Sequence, residues 1–319
     1  MSNSPIMADL KNAPKKSEAA LRSLVSMQIN IRSHDLPLSL QLELFNRMIV
    51  PVLTFGCEAW GYGNNEILEK VQLRFCKDIL KCKTTTNTCM VHGELGVFPV
   101  DIAVKERMIG YWAKLVTGKE TKLAVKMYSV MYRMHIEGEF SSPWLLHIKT
   151  ILENCGMANI WQAQTFPNVV WLKKAVRLRL QDQFIQQWQT EVFNSDKCIL
   201  YRAYKEVFGF EDYLNLPTEL RVPLCKLRMS NHKLAVERGR YRDIPRNERV
   251  CDLCDANTLG DEFHFLLKCS KFENIRKYYI PRKYWRRPNI ISFCNLLNCK
   301  LLKVKLAKFV KEAFKSVGI

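Results

Sequence analysis

Three cysteines and one histidine lie close together late in the sequence, in "VCDLCDANTLGDEFHFLLKCS". They are Cys251, Cys254, His264 and Cys269, in the order Cys-x2-Cys-x9-His-x4-Cys. A Cys-x2-Cys turn presents two thiolates to one ion, and a later segment can return two more ligands. Three thiolates and an imidazole favour zinc over magnesium or calcium, which take oxygen ligands. Chance is the competing reading, because the chain has 12 cysteines and one Cys-x2-Cys pair among them is not rare. With four protein ligands the centre would be closed, leaving no open position for a reacting water. The acidic residues around it, Asp252, Asp255, Asp261 and Glu262, argue against direct phosphate contact. The expected role is structural, as a staple that orients its flanks, and binding would add folding energy.

Such a centre constrains the elements that carry it. The polar stretch "DANTLGDE", with Gly260, suits a turn that brings the chain back. Residues five apart on a regular helix point about 140° away from each other. A helix bearing His264 must therefore loosen near Lys268 for Cys269 to face the same ion. "SKFE" reads as a capping box, with Ser270 capping a new helix and Glu273 reaching back.

The flanks are basic. Residues 221–250 hold nine Lys or Arg against three Asp or Glu, residues 251–270 one against four, and residues 271–319 thirteen against two. The chain's net charge is +18, so the excess gathers in the last third and points to a polyanion there. In "NLPTELRVPLCKLRMSNHKLAVERGRY", Leu220, Leu224, Leu227 and Leu234 share a helical face, with Arg221, Arg228 and His232 on a neighbouring stripe. Lys226 and Arg238 extend this basic set. Gly239 permits a helix exit into a loop carrying Arg240, Arg242, Arg246 and Arg249. A solvated basic face is the alternative to phosphate contact. Downstream, Arg276, Lys277, Arg282, Lys283, Arg286 and Arg287 alternate with aromatics that include Tyr284 and Trp285. Bases can stack on such rings while cations hold the backbone. Half or more of these rings are expected to anchor the core instead. The last segment, "LLNCKLLKVKLAKFVKEAF", reads as an amphipathic basic helix that could lie on nucleic acid, on protein or on a membrane surface.

The remainder is mainly helical. Leu42, Phe45, Met48 and Ile49 recur at helical steps before Pro51, and Ile67, Val71, Phe75 and Ile79 are spaced by four. Met108, Trp112 and Leu115 share a face behind Asp101, a candidate N-cap. Ser142, Pro143 and Gly156 mark a cap, a first turn and a stop. A long helix is expected over "VVWLKKAVRLRLQDQFIQQWQTEVF", with Val176, Leu180, Phe184 and Trp188 on one stripe. "VLTFGCEAW" is the best candidate for extended structure. The spacing divides the chain into a basic tail (1–20), a helical region (21–160), a helical connector with the basic helix (161–245) and the metal element with basic helices (246–319). The opening residues lack the apolar core of a secretion signal, so free thiols and a nuclear or cytoplasmic location are expected. No apolar run suits a bilayer span, and no small-molecule substrate motif stands out.

The order of blocks resembles a known family. "LELFNRMIVPVLTFGCEAWG", "LEKVQLRFCKDILK", "VHGELGVFPVDI" and "RMIGYWAKL" resemble the region after the polymerase palm in reverse transcriptases of non-LTR (LINE-type) retrotransposons. "LCKLRMSNHKLAVERGRY" and the Cys-x2-Cys…Glu-x-His-x4-Cys pattern resemble the C-terminal part of the same proteins. The resemblance runs from about Leu21 to near the end. It implies a thumb-like helical region, a connector and a zinc-knuckle-like element that help hold template RNA and target DNA. It implies the ligands Cys251, Cys254, His264 and Cys269, with Glu262 at the acidic position before the histidine. The interval between the second and third ligands is longer than in retroviral knuckles. The sequence has no Asp-Asp pair, which the two-metal chemistry of nucleotidyl transfer uses. His92 and His147 read as structural. The expectation is a non-catalytic, nucleic-acid-binding C-terminal fragment of such an enzyme. The alternative is a helical scaffold that docks a polymerase core or another acidic partner, in which case residues 42–60 should expose an apolar surface.

Overall fold

The computed structural model describes residues 36–318, which are mainly α-helical; among them no β-strand forms, only two isolated bridges. None of these helices is long and apolar enough to cross a membrane. All 12 cysteines are free. The described residues gather into two compact units, and each draws on separate stretches of sequence.

One unit combines Leu42–Gln72 with Phe98–Gln186. Its core holds Trp112, fully buried, whose indole N–H donates to Tyr128 Oη at 2.8 Å. The helix Val100–Val116 carries this tryptophan and starts behind Pro99, not Asp101, which lies in the first turn and pairs with Lys105 at 2.7 Å. Ser142 does cap the helix Pro143–Asn154 by accepting from Leu145 N–H, and Gly156 follows at φ +73°. "VLTFGCEAW" is helical, as Val50–Leu53 and Cys57–Trp60, and not extended. Pro51 cannot donate an N–H and crowds the preceding turn, and the chain just before it widens into a π-turn, Phe45–Ile49.

The other unit combines 36–41, Leu73–Val97 and 187–318. These memberships cut across the sequential segments drawn above: the boundaries at 160 and 245 each fall inside a unit. The long helix is present as Val169–Asn194; residues 169–186 belong to the first unit and 187–194 to this one, with Val176, Leu180 and Trp188 buried and Phe184 half-buried. The expected basic helix is two helices, Thr218–Arg228 and Ala235–Arg240, parted at Ser230, whose φ is +48°. Gly239 lies within the second of them. A Cβ there would come within 2.5 Å of Arg249 Cγ, so the glycine admits the arginine stem and is not a helix exit. The final segment forms Ile290–Asn298 and Lys303–Ser316. Leu306, Phe309, Val310 and Phe314 are buried, and this last helix packs mainly on Thr218–Arg228. Its apolar stripe is thus packed into the core.

Candidate metal centre

The cluster begins with a tight return of the chain. Val250 and Leu259 form an antiparallel bridge, Cys251 N–H donates to Thr258 O at 2.8 Å and Gly260 N–H to Arg249 O at 2.9 Å. A side chain at Gly260 would meet Cys251 Cα at 2.9 Å, so only glycine lets the returning strand pass this close. Asp261 then caps the helix Glu262–Leu267 by accepting from His264 N–H at 2.9 Å. Its other oxygen faces Arg246 Nη2 at 3.3 Å.

Beyond Leu267 the helix unwinds as the ligand spacing requires. Lys268 N–H and Cys269 N–H both donate to His264 O, at 2.9 and 2.8 Å, and Cys269 turns to φ −53°, ψ 120°. The cause differs from the one read in sequence. Ser270 caps no helix; it opens a 3-10 turn, Ser270–Phe272, and the helix Glu273–Tyr279 follows without a side-chain cap. The freed carbonyls are collected by Arg276, whose Nε donates to Leu266 O at 2.7 Å and Nη2 to Cys269 O at 2.7 Å and Phe265 O at 3.3 Å.

The four ligand atoms converge within 4.8 Å of one another, and the group could hold a metal ion. Cys251 and Cys269 sulfurs are 4.0 Å apart, and Cys254 Sγ is 3.3 Å from His264 Nε2. A tetrahedron with bonds of about 2.3 Å to sulfur and 2.0 Å to nitrogen has edges of roughly 3.5–3.8 Å, so shifts of up to about 1 Å would close the set on an ion. Thr258 Oγ1 lies 3.1 Å from His264 Nδ1. It accepts the Nδ1 proton when Nε2 turns its lone pair to an ion, which fixes ring and tautomer together. Burial lowers the His264 pKa, with the Arg276 and Lys268 charges adding to it, so the ring is neutral and able to ligate. Burial raises Cys251, and pushes Cys269 up to about 12. At Cys254 burial opposes ionisation, but the Ala256 amide and hydrogen bonds from Cys269 and Cys251 outweigh it and lower its pKa. A cation would draw all three to thiolates.

Glu262 does not touch the cluster. It is buried and accepts from Ser230 Oγ at 2.7 Å and His232 Nε2 at 2.9 Å. Burial pushes its carboxyl up, but the His232 and Ser230 hydrogen bonds hold it below the usual range. The acidic residue before the histidine therefore ties the cluster helix to the 230s turn.

The basic residues divide. Arg221, Arg228, His232, Arg276 and Tyr284 are buried, so these five are corrected from nucleic-acid contacts to parts of the core. Arg228 is the extreme case. Its guanidinium grips Glu94 at 3.0 and 3.1 Å and Glu211 at 3.0 Å, between the rings of Tyr204 (4.7 Å) and Tyr213 (4.9 Å). Tyr213 Oη also donates to Glu94 at 2.6 Å. Arg249 is half-buried and donates to the carbonyls of Ile244 (2.8 Å) and Val236 (3.0 Å). Arg238 pairs with Asp252, and Arg240 with Glu237 at 3.1 Å. Lys226 and Trp285 are half-buried, and the Trp285 indole donates to Ile280 O at 2.9 Å. Arg242, Lys277, Arg282, Lys283, Arg286 and Arg287 are exposed. Sequence reading missed Thr258, Glu94 and the capping by Arg276. Only Asp261 carried a local signal, as an aspartate one step ahead of a short apolar run.

No protein family, no curated protein and no solved structure matches the chain.

Proposed function

We propose that this chain is a non-catalytic, zinc-stapled helical module that binds nucleic acid, akin to the C-terminal part of LINE-type reverse transcriptases. Zinc would be held by Cys251, Cys254 and Cys269 through sulfur and by His264 through Nε2. Four protein ligands close the site, so its contribution is to folding and orientation. The observation that carries the reading is the exposed basic run Arg282, Lys283, Arg286 and Arg287, displayed beyond the staple, whereas upstream Arg221 and Arg228 are buried. Phosphate contact through such side chains gives salt-dependent, sequence-tolerant affinity. Gel-shift titrations with RNA and DNA over a salt series test it. Binding that weakens linearly in log[salt] is expected, and no binding at low salt sinks the reading. Zinc is tested separately, by stoichiometry on purified protein. Wild type should carry one ion and Cys251→Ser much less; equal content in both counts against the site.

A second reading is favoured by the other unit. Met48, Val52 and Phe55 are 54%, 44% and 73% exposed, within the stretch expected to display an apolar surface if the chain docks protein. Here the module is a scaffold for a polymerase core or another acidic partner. A pull-down that recovers protein through this surface, is abolished by Phe55→Asp and brings down no nucleic acid would favour it.

A further inference from the structure

The exposed basic run leads into a specific concavity. A groove of about 630 Å³ has Glu273, Lys277, Tyr278, Arg282, Trp285 and Lys305 among its walls. That size lies within the roughly 300–1,000 Å³ typical of ligand pockets. Lys305 comes from the last helix and is far from the others in sequence, so the basic–aromatic pattern of 276–287 did not reveal it.

Its aromatic wall is built to present a ring. Tyr278 is 79% exposed, the most exposed tyrosine or tryptophan among the large hydrophobic side chains at the surface, so its ring does no core packing. It stands edge-on to Tyr279, with centroids 4.7 Å apart and planes at 89°. Tyr279 is itself held through its hydroxyl by Glu312. Trp285 is fixed by its bond to Ile280 O. A T-shaped pair with one anchored member leaves a π-face for a third ring. The cations complete the wall. Among the described residues Arg282 and Lys305 form no ion pair, and Lys277 has only a screened surface pair with Glu273 at 2.7 Å.

We infer that this groove takes a single-stranded stretch of nucleic acid, one unpaired base stacking on Tyr278 while neighbouring phosphates meet Arg282 and Lys305. A duplex offers base edges but no free base faces, whereas every unpaired base has a π-face to stack. Arg286 and Arg287 continue the cationic track for the backbone. The inference rests on the nucleic-acid reading above and narrows it to unpaired strand.

Fluorescence anisotropy on the zinc-loaded full chain tests it, with a short labelled oligouridylate, a blunt RNA duplex and a labelled acidic peptide as probes. The single strand should bind best. Tyr278→Ala should lose roughly tenfold in single-strand affinity and Tyr278→Phe little, as for loss of one stacked base. Arg282→Ala and Lys305→Ala should each lower the log–log salt slope by about 0.7. Both classes of variant should melt like wild type, and a 4-thiouridine crosslink mapped to 277–285 reads the site without any variant. Tight binding by wild type that Tyr278→Ala leaves unchanged, or a preference for duplex or acidic peptide, overturns the groove alone. No binding of either nucleic acid overturns the groove and the reading beneath it.

Discussion

Two basic stretches flank one cluster, and the fold treats them oppositely. Upstream, at 221–249, it draws arginines inward: Arg228 is locked between two carboxylates and two tyrosine rings, and Arg249 holds backbone carbonyls. Downstream, at 277–287, it leaves them in water. The difference comes from the counter-charges available. Glu94 reaches the upstream helix from distant sequence and Glu211 from the turn just before it, and Glu262 reaches His232. The downstream stretch has Glu273 and Glu312, and these serve Lys277 and Tyr279 at the surface. Equal basicity in sequence thus means internal scaffolding in one place and a displayed charge in the other.

The sharpest way to break this contrast is Arg228→Met. It leaves Glu94 without its cation in the core, while Glu211 keeps Lys205, and should cost about 3–5 kcal/mol in urea unfolding. A loss below 1 kcal/mol would mean that Arg228 is not the hub described. Next comes Arg276, a downstream residue that behaves like an upstream one. Arg276→Ala strips three carbonyls of a charged donor and should cost roughly 1.5–3 kcal/mol, with weaker zinc retention on dialysis because Cys269 O is one of the three. Arg238 and Arg242 are the opposite exceptions, upstream but exposed, Arg238 half in solvent beside Asp252. Arg238→Ala should cost no more than about 1 kcal/mol, an effect that fades further in high salt. Smallest in stability is the double substitution Arg286→Ala with Arg287→Ala. Its melting temperature should match wild type while nucleic-acid affinity and salt slope both fall; a large drop in melting temperature would show these side chains to be structural.

Helix content was legible because apolar periodicity is local. In the stripe Val176, Leu180, Phe184 and Trp188 the four-residue spacing is followed by burial at three positions, with Phe184 half-buried. The Cys/His cluster was legible for a related reason: a Cys-x2-Cys turn and its returning segment lie within 19 residues, Cys251 to Cys269, so few chain paths can separate them. Arg228 was not legible. A helix wheel places it a quarter turn from the leucine face, but only tertiary structure brings Glu94 to meet it. The Ser270 box failed similarly: the chain leaves Cys269 through the 3-10 turn Ser270–Phe272, so Ser270 does not stand at the N-cap of Glu273–Tyr279. Tyr284 shows the limit of composition. In a run of rings and cations, sequence does not tell a core anchor from a stacking platform, and burial separates it from Tyr278 at once.

The ion pair at Arg228 also sets a clock. Glu94 and Arg228 are 134 residues apart. At a synthesis rate of about 5–20 residues per second, the carboxylate emerges roughly 7–27 s before its partner. Throughout that interval the helix Thr88–Leu95, buried along nearly its whole length in the finished protein, has no cation to neutralise it and no unit to enter. The segment 73–97 must wait in a nascent chain for a region translated much later. Any chaperone that attends the growing polypeptide would find this helix exposed throughout that interval.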